Sequence, residues 1–417
     1  MGPVTPPAAP AVALGEDTVW LRHSDSLPAA ARNAARQLAH RIGLLPERAA
    51  EVALAVSEAA TNLRRHAVDG AMVLRVVRTD AEAALEFLTV DSGPGMADVP
   101  AALADGYSSG PTLGIGLGAV SRLADAFDLH SLPGRGTVLA ARFWNRTPSG
   151  RAAAAAGEPV AAGLTRPMSG QELCGDAWAV RPAGGPPPPA ADRRPVAAAH
   201  LDWAVLTNRA PRTHSPAGPR TEAARTEATS TGAGPAGGDG RRGGGGAGDG
   251  AFLLMFCDGL GHGPLAARAA AEAVAAFHRT SAHRPEEVLA ELHRALRSGR
   301  GGAVAVALVE PAEARLVFCG VGNVSAFVVD PVGGTRRALP SSPGIVGHQL
   351  PTAHIVRQQL APGSAVVLHS DGLTDRWRAP DVPGLFSHLP VTAAALLLRE
   401  AGVRRDDAGV LVAKGAW

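Results

Sequence analysis

The feature that most constrains the fold of this chain is a long tract, from about Arg181 to Gly250, that cannot form a packed core. It contains a run of four prolines, a stretch rich in Arg, Ser and Thr, and the segment RRGGGGAGDG. Such a composition buries too little apolar surface to offset the entropy lost on ordering. We therefore predict that residues 182–249 are mostly a disordered insert, within which residues 200–206 could form a short strand.

The chain has 417 residues, and at roughly 100–200 residues per domain this length predicts two domains. Hydrophobic residues make up 46% of the chain but aromatic residues only 4%, so small aliphatic side chains must fill the two cores. The expected organisation is a disordered N-terminus over residues 1–14, a first domain over 15–146, a Pro/Ala/Gly-rich linker over 147–162, and a second domain over 163–416 that carries the insert.

The charge and the cysteine content exclude several classes of protein. The formal net charge is +2 and no basic stripe with interleaved aromatic residues is present, so we predict no nucleic-acid partner. The three cysteines, Cys174, Cys257 and Cys319, are widely spaced. Their odd number disfavours a disulfide framework or a zinc site and fits a reducing cytosol. With no signal-peptide pattern and no apolar run that could span a bilayer, we predict a cytoplasmic protein without a membrane partner.

Periodicity predicts alternating helices and strands in both domains. In the first domain, helices are predicted over 27–42 and 46–66, strands over 72–78, 84–91, 127–131 and 137–144, and a further helix from 114–118 to about 127. In the second domain, strands are predicted near 165–180 and from 251, and helices over 264–278, 286–296 and 392–401.

Three motifs in the first domain have the chemistry of an ATP site. Glu58 and Asn62 lie four residues apart on a predicted helix, so both side chains project from one face. DSGPGM, residues 91–96, follows a strand, and LGIGLG, residues 113–118, runs into a helix. A carboxylate at a strand end can accept a hydrogen bond from adenine, and glycines let backbone amides approach phosphates at a helix N-terminus. An Asn can hold Mg²⁺, and a Glu can position or deprotonate an attacking hydroxyl.

The order and spacing of these motifs favour a nucleotide site over the simpler explanation of each, a solvated helix face or a tight turn. The pattern DSGPGM…ALADGYSS…LGIGLGAV…RLADAFDL…GRGT is similar to that of the GHKL ATPase superfamily, especially its RsbT-type switch kinases. The resemblance covers about residues 16–146. It implies a Bergerat-type α/β sandwich that binds ATP and Mg²⁺ and phosphorylates a Ser or Thr on a small STAS-domain antagonist of an anti-sigma factor.

The resemblance also implies individual roles. Glu58 would be the catalytic base, Asn62 the Mg²⁺ ligand and Asp91 the adenine anchor. The residues that would shape the pocket and its lid are Gly93, Gly95, Gly114, Gly116 and Gly118, with Thr137 near the base.

Four acidic motifs mark the second domain. They are CGD, CDGLGHG, HSDGLTD and RRDD, at residues 174–176, 257–263, 369–375 and 404–407. Asp258 and Asp371 each follow an apolar strand, so their carboxylates can converge at strand ends on hard cations, which prefer oxygen ligands. Two such cations activate a bridging water and clamp phosphoryl oxygens during in-line attack. A single Asp-Gly pair is more often only a turn.

The sequence DGLGHG, followed by an Ala-rich helix, resembles the SpoIIE-type branch of the PP2C-like phosphatases, close to its RsbX-like members. The match covers about residues 163–414 without the insert and implies a four-layer αββα sandwich that uses Mn²⁺ or Mg²⁺. It implies His262 as a nearby acid–base or substrate-orienting group. The metal ligands that it implies are Asp176, Asp258, the carbonyl of Gly259, Asp371 and Asp406.

Two positions depart from the family pattern without removing a carboxylate. Cys174 stands where Gly is common, and Gly409 stands where a hydroxyl residue is common. The choice between Asp406 and Asp407 as ligand stays open, and comparison with the usual Asp-Asn pair favours Asp406. Residues 320–323 and 342–344 match strand–turn landmarks of the family with scaffold roles.

Two hypotheses of function follow. In the first, the chain is a bifunctional enzyme of partner-switching regulation, a kinase and a serine/threonine phosphatase acting on STAS-domain proteins, with a sigma factor or a stressosome-like assembly as a further partner. In the second, only the phosphatase acts, and the first domain is an ATP-sensing or partner-binding module without catalysis. Retention of Glu58 and Asn62 favours the first hypothesis.

Overall fold

A computed structural model describes residues 14–79, 82–104, 116–183, 250–330, 332, 334–403, 405–415 and 417. The first domain contains one antiparallel five-stranded sheet of order β1-β2-β3-β5-β4. Its elements are β1 Leu14–Arg22, α1 Leu27–Arg41, α2 Pro46–His66, β2 Ala71–Arg78, β3 Ala83–Val90, α3 Val99–Leu103, α4 Gly116–Leu123, β4 Ala126–Ser131 and β5 Thr137–Phe143.

Successive side chains of a strand point to opposite faces of a sheet, and nearly all side chains of β2 and β3 are buried. Both faces of this sheet are therefore covered. On β3, Leu85 and Phe87 pack with α1 and α2 in one core, whereas Leu88 packs on the opposite face. The helices therefore cover only one face, and the other must be covered by a different part of the chain.

The second domain follows helix α5, Pro148–Ala155, and contains two antiparallel five-stranded sheets, of order β13-β10-β9-β8-β7 and β12-β11-β14-β15-β6. Its elements are β6 Ala161–Arg166, β7 Asp176–Pro182, β8 Phe252–Gly259, α6 Pro264–Arg279, α7 Pro285–Leu296, β9 Gly302–Glu310, β10 Arg315–Val321, β11 Ser325–Val329, β12 Arg336–Ala338, β13 Val356–Gln359, β14 Ala365–His369, α8 Pro390–Ala401 and β15 Ala408–Lys414.

These elements form four layers. Leu254 and Phe256 of β8 share a core with Leu411 of β15, so the two sheets pack face to face. Leu253 and Met255 point the other way, into a core with α6 and α7. Helix α8 covers the outer face of the second sheet. The predicted αββα sandwich and the predicted α/β first domain are both present.

Helix α8 is also the element that joins the two domains. Ten of its twelve residues are buried, so it is apolar all round rather than along one stripe. One core cluster, here called the interdomain core, holds α8 together with Val73, Leu88, Val138 and Ala140 of the first sheet. The face of that sheet that α1 and α2 leave uncovered thus packs on the second domain.

Polar contacts fix the same interface. Asp128 of β4 accepts hydrogen bonds from His388 Nδ1 and from the backbone N–H of Leu389, both at 2.7 Å, at the N-terminus of α8. Arg75 Nη1 donates to the carbonyl of Gly163 in β6 at 2.7 Å. The interface therefore combines apolar burial with specific hydrogen bonds.

Several segments differ from expectation or fall outside the description. The predicted linker, 147–162, contains α5 and the first residues of β6. Strand β1, which the periodicity does not indicate, begins at Leu14. Of the predicted insert, residues 184–249 lie outside the described residues; Ala183 donates from its N–H to the carbonyl of Ala251 at 2.8 Å, at the end of the β7–β8 pair. No helix of the described part is long and apolar enough to cross a membrane.

Candidate functional sites

Helix α2 carries Glu58 and Asn62 one turn apart, as their spacing predicts. Both side chains are half-buried. They lie at the border of the helix face that packs in the core, which includes Val56, Ala59 and Leu63. Neither side chain is enclosed by the core, so a carboxylate and an amide remain accessible on the same face of α2.

The loop after β3 places Asp91 beside β5 and the end of α2. The N–H of Asp91 donates to the carbonyl of Thr137 at 3.0 Å, and the N–H of Ser92 donates to that of Val68 at 2.9 Å. The Oδ1 atom of Asp91 accepts a hydrogen bond from the N–H of Gly93 at 2.7 Å. The backbone N–H of Thr137 also stabilises this carboxylate, and the residue is only 9% exposed. No side chain of the described residues donates a hydrogen bond to the carboxylate, so it can still accept one from an amino group.

Close backbone approach explains two glycines of this loop. A Cβ atom on Gly93 would lie 2.6 Å from the carbonyl oxygen of His66, and one on Gly95 would lie 2.0 Å from that of Leu132. Gly95 also has a φ of +66°, which L side chains rarely adopt. The DSGPG loop therefore packs closely, backbone to backbone, against the end of α2 and the β4–β5 turn.

The remaining predicted nucleotide residues lie in α4 and β5. Gly116 begins α4, and Gly118 is buried where a Cβ would lie 2.4 Å from the carbonyl oxygen at the end of α3. Thr137 begins β5, and its hydroxyl lies 2.9 Å from that of Ser131. Gly114 lies outside the described residues. The structure thus brings Asp91, the DSGPG glycines and Thr137 together.

In the second domain, Asp176 and Asp258 face each other as register partners on β7 and β8. Asp176 is buried, and its Oδ2 atom accepts a hydrogen bond from Ser370 Oγ at 2.6 Å. Ser370 Oγ in turn accepts one from the N–H of Gly409 at 3.0 Å. This chain of bonds links the first sheet of the sandwich to the second at the end where the carboxylates lie.

Asp371 and Asp406 contribute from the second sheet. Both are exposed. Asp371 follows β14, and its Oδ2 atom accepts a hydrogen bond from Asn323 Nδ2 at 2.7 Å. The neighbouring Gly372 passes so close to the residue that precedes β15 that a Cβ would lie 1.9 Å from the carbonyl oxygen of Asp407. The position of Asp371 is therefore tied to the RRDD segment.

Asp406 and Asp407 have different surroundings. Asp407 is buried, and its two carboxylate oxygens accept the backbone N–H groups of Met168 and Gly175, both at 2.7 Å. Asp406 is exposed, and within the described part of the chain its carboxylate accepts only the N–H of Asp407, at 2.9 Å. Asp407 thus has a structural function in joining β15 to the β6–β7 loop, whereas Asp406 keeps an oxygen available, which favours Asp406 as the ligand.

The carboxylates raise one another's pKa. Burial, followed by the charges of Asp371, Asp406 and Asp407, raises the pKa of Asp258 to about 7. Burial and the charge of Asp258 also raise the pKa of Asp176 well above its ordinary value. Burial and Asp406 do the same, to a smaller extent, for Asp371. Burial, and then like charges held together without a cation, are the causes of these raised pKa values.

This donor set fits hard divalent cations. Its members are carboxylates at strand ends with no Lys or Arg partner among the described residues, and oxygen is the ligand that such ions prefer. Among the described residues, no group of three or more His, Cys, Asp or Glu side chains is close enough together to hold a metal ion. Sites for Mg²⁺ retain several waters and can use only one or two carboxylates, so they do not require such a group.

The DGLGHG loop borders the carboxylates. Gly259 ends β8, and its N–H donates to the carbonyl of Gly175 at 2.9 Å. His262 is exposed and makes no hydrogen bond with the described residues. The scaffold landmarks pair with each other, since the N–H of Gly322 donates to the carbonyl of Ser342 at 2.9 Å.

Three contributions are not evident from the sequence. Ser370 supports Asp176, Asn323 supports Asp371, and Arg399 of α8 donates from Nη1 to the backbone carbonyl of Asp91 at 3.1 Å. Ser370 and Asn323 lie inside motifs already noted, so the sequence could have indicated that they belong to the site, although not which aspartate each contacts. Arg399 lies in another domain, and no local pattern connects it with the DSGPG loop.

Comparisons with known proteins match each of the two domains to a family. Residues 23–143 match the histidine kinase-like ATPase domain family, and residues 248–414 match the stage II sporulation protein E (SpoIIE) family. The chain is 35% identical over 117 residues to the serine/threonine-protein kinase RsbT of Bacillus subtilis strain 168, which covers 28% of this chain and 88% of RsbT.

Two further similarities concern the second domain. The phosphoserine phosphatase RsbX of the same organism is 26% identical over 144 residues, which covers 34% of this chain and 68% of RsbX. The solved structure of the PP2C phosphatase domain and a regulatory fragment of SpoIIE from Bacillus subtilis aligns over 81% of this chain and 80% of that chain, at 11% identity and a TM-score of 0.38.

Proposed function

Because the chain belongs to the histidine kinase-like ATPase family in its first domain and to the SpoIIE family in its second, we propose that it both adds and removes phosphate on a serine or threonine of a STAS-domain protein. The second domain is a SpoIIE/PP2C-type phosphatase domain. The opposing kinase activity, the STAS substrate and a place in partner-switching control of a sigma factor or a stressosome-like assembly are the proposed parts.

The observation that carries the proposal is that one chain retains both sets of chemical groups. Glu58 and Asn62 stay accessible on one face of α2, and the Asp91 carboxylate accepts no side-chain hydrogen bond from the described residues. In the other domain, Asp258 and Asp371 belong to a carboxylate cluster without a cationic partner among the described residues. A domain that served only as a scaffold would need neither the nucleotide-binding groups nor the carboxylate cluster.

In the kinase reaction, each residue acts at a different place. Asp91 would accept a hydrogen bond from the adenine amino group, and Asn62 would hold the Mg²⁺ that accompanies ATP. Glu58 would orient the substrate hydroxyl and take its proton as the phosphoryl group is transferred. Gly93, Gly95 and the glycines of α4 let backbone amides approach the nucleotide.

In the phosphatase reaction, Asp176, Asp258, the carbonyl of Gly259, Asp371 and Asp406 would hold Mn²⁺ or Mg²⁺. When bound, such cations supply an activated water and neutralise charge on the phosphoryl oxygens. His262, which is exposed in the loop after Asp258, would orient the phosphoprotein and donate a proton to the departing serine or threonine oxygen.

A transfer assay tests this proposal. The full chain is incubated with γ-labelled ATP and a STAS-domain protein encoded in the same genome, first with Mg²⁺ equimolar to ATP and then with added Mn²⁺. We expect label to enter the STAS protein and to leave it after Mn²⁺ is added. Glu58→Ala should block entry, and Asp371→Asn should block removal. Absence of transfer to every STAS protein tried would refute the kinase half.

One observation favours the alternative, a first domain that senses ATP without catalysis. The sheet that carries Asp91 shares the interdomain core with α8, so the nucleotide loop lies against the phosphatase domain. In that case wild type binds ATP and Glu58→Ala changes no activity, whereas nucleotide alters the rate of dephosphorylation.

A further inference from the structure

Arg399, a residue of the second domain, contacts the DSGPG loop of the proposed nucleotide site. It lies in the last turn of α8, and its side chain is only 7% exposed. Its Nη1 atom donates to the backbone carbonyl of Asp91 at 3.1 Å, and its Nε and Nη2 atoms donate to Glu400 Oε1 at 3.1 and 2.7 Å. A guanidinium offers donors in a fixed planar fork, so the Glu400 contact fixes the direction of the Asp91 contact.

Three hydrogen bonds hold Asp91 in place, and the one from Arg399 is the third. The N–H of Asp91 is held by Thr137, its Oδ1 atom by Gly93, and its carbonyl by Arg399. With these three atoms held, the remaining oxygen, Oδ2, has a defined direction. Arg399 also opposes, through its charge, the rise in the pKa of Asp91 that burial causes, and so favours the carboxylate that an amino donor needs.

A second arginine, from the first domain, pairs with Glu400, the residue that also binds Arg399. Arg135, in the β4–β5 turn, pairs with Glu400 Oε2 at 3.2 Å and donates to the carbonyl of Asp381. Glu400 therefore lies between the two arginines. Together with Ser92 and Gly134, these residues line a cleft of about 230 Å³ beside the DSGPG loop.

The helix that carries Arg399 cannot easily shift. Its N-terminus is capped by Asp128 of the first domain, and its side chains are buried in the interdomain core. Its C-terminal end is bonded to the phosphatase site, because the N–H of Thr374 donates to the carbonyl of Ala401 at 2.9 Å and that of Val403 to the carbonyl of Gly372 at 2.7 Å. The last turn of α8 thus contacts the loops that follow Asp91 and Asp371.

We propose that Arg399 is a positioning residue of the nucleotide site, supplied by the phosphatase domain, and that it determines how well the first domain selects adenine. This inference rests on the proposed binding of nucleotide at Asp91. Arg399 itself touches no nucleotide; it acts by holding the Asp91 carbonyl, and thereby the Oδ2 atom that would accept the adenine amino group.

The test compares two ligands that differ at the recognised group. ADP carries the 6-amino donor, whereas IDP carries an oxygen at that position and lacks this amino group. Dissociation constants of Mg-ADP and Mg-IDP are measured by calorimetry on the full chain. For Arg399→Ala we expect the dissociation constant of ADP to rise about fivefold or more, a typical coupling between two groups, while that of IDP changes by less than about twofold. Arg399→Lys should recover part of the loss.

A matched control comes from the same domain. Arg294 lies in the last turn of α7 and pairs with Glu291 at 2.5 Å, and it makes no hydrogen bond or ion pair with the first domain among the described residues. Arg294→Ala should leave both dissociation constants unchanged. Thermal unfolding of each variant in the absence of nucleotide reports whether the fold is retained.

The outcomes separate this inference from the proposed function. If wild type binds ADP and Arg399→Ala binds it equally well, the positioning role is wrong while the nucleotide site stands. If Arg399→Ala weakens ADP and IDP alike, the effect is general damage and the role is again wrong. If wild type binds no ADP, the nucleotide site itself is refuted, and this inference with it.

Discussion

Replacing Asp258 by asparagine should stabilise the protein in the absence of metal, although it removes a proposed metal ligand. The pKa of Asp258 is raised to about 7, first by burial and then by the charges of Asp371, Asp406 and Asp407. Its carboxylate accepts no hydrogen bond from the described residues, so the ionised form is a cost to the fold. An asparagine at this position would carry no charge and would occupy nearly the same volume.

The sign and the size of the effect follow from linkage. The folded protein binds this proton more tightly than the unfolded chain, so its free energy of unfolding falls as pH rises from about 4 to about 7 and stays low above that. A pKa about three units above the ordinary one corresponds to a ceiling of about 4 kcal/mol. Since water reaches part of the site, we expect about half, roughly 2 kcal/mol at pH 8, or about 4–8 °C in Tm.

The assay is calorimetric unfolding at pH 8 and at pH 4, with chelator and with Mn²⁺. With chelator, Asp258→Asn should unfold at a higher temperature than wild type at pH 8, and the difference should vanish at pH 4. With Mn²⁺ at about 100 times its dissociation constant, wild type should gain about 2.7 kcal/mol and the variant far less. Asp330→Asn, at the end of β11 and away from the cluster, is the control. A lower Tm for the metal-free variant at pH 8, or full Mn²⁺ stabilisation of it, would contradict the carboxylate-cluster assignment.

Three further predictions concern other parts of the molecule. Asp91→Asn should weaken ATP binding by about 10–150-fold, the range for a lost charge-assisted hydrogen bond of about 1.5–3 kcal/mol, whereas Glu58→Ala should leave binding nearly intact and stop transfer; calorimetry and a transfer assay on both variants check this. Replacing residues 184–249 by a short Gly/Ser loop should keep Tm and turnover, because loop-closure entropy changes slowly with length, and a loss of both would mean that the insert contains essential structure. Gly372→Ala should lower Tm and phosphatase turnover together, because its Cβ would lie 1.9 Å from the carbonyl oxygen of Asp407; unchanged turnover would show that the loop can shift without harm.

The sequence predicts those elements whose ends are marked locally. Helix α2 is predicted from Pro46 to His66, and the structure confirms both ends, since a proline begins the helix and the apolar periodicity stops at its end. The strands before Asp258 and Asp371 are likewise predicted, because a continuous apolar run ending in Asp-Gly is a local signal. These features indicate both candidate sites without any knowledge of tertiary contacts.

What the sequence does not predict depends on contacts between distant segments. The apolar pattern of α8 predicts a helix but not its two packing partners. A helix that is apolar on all sides has the same sequence pattern whichever domains cover it. Asp406 and Asp407 are adjacent and chemically identical, and only the backbone N–H groups of Met168 and Gly175 distinguish the second as structural.

Counting the ADP formed per molecule of STAS protein tests most directly the central claim that one chain carries opposing activities. The full chain is mixed with a STAS-domain substrate, ATP and Mn²⁺, and ADP is followed to completion for wild type and for Asp371→Asn. The account predicts that wild type continues to form ADP well beyond one per STAS molecule, because phosphate is removed and added again, whereas Asp371→Asn stops at about one. Continued ADP formation by Asp371→Asn, or none by wild type, would contradict it.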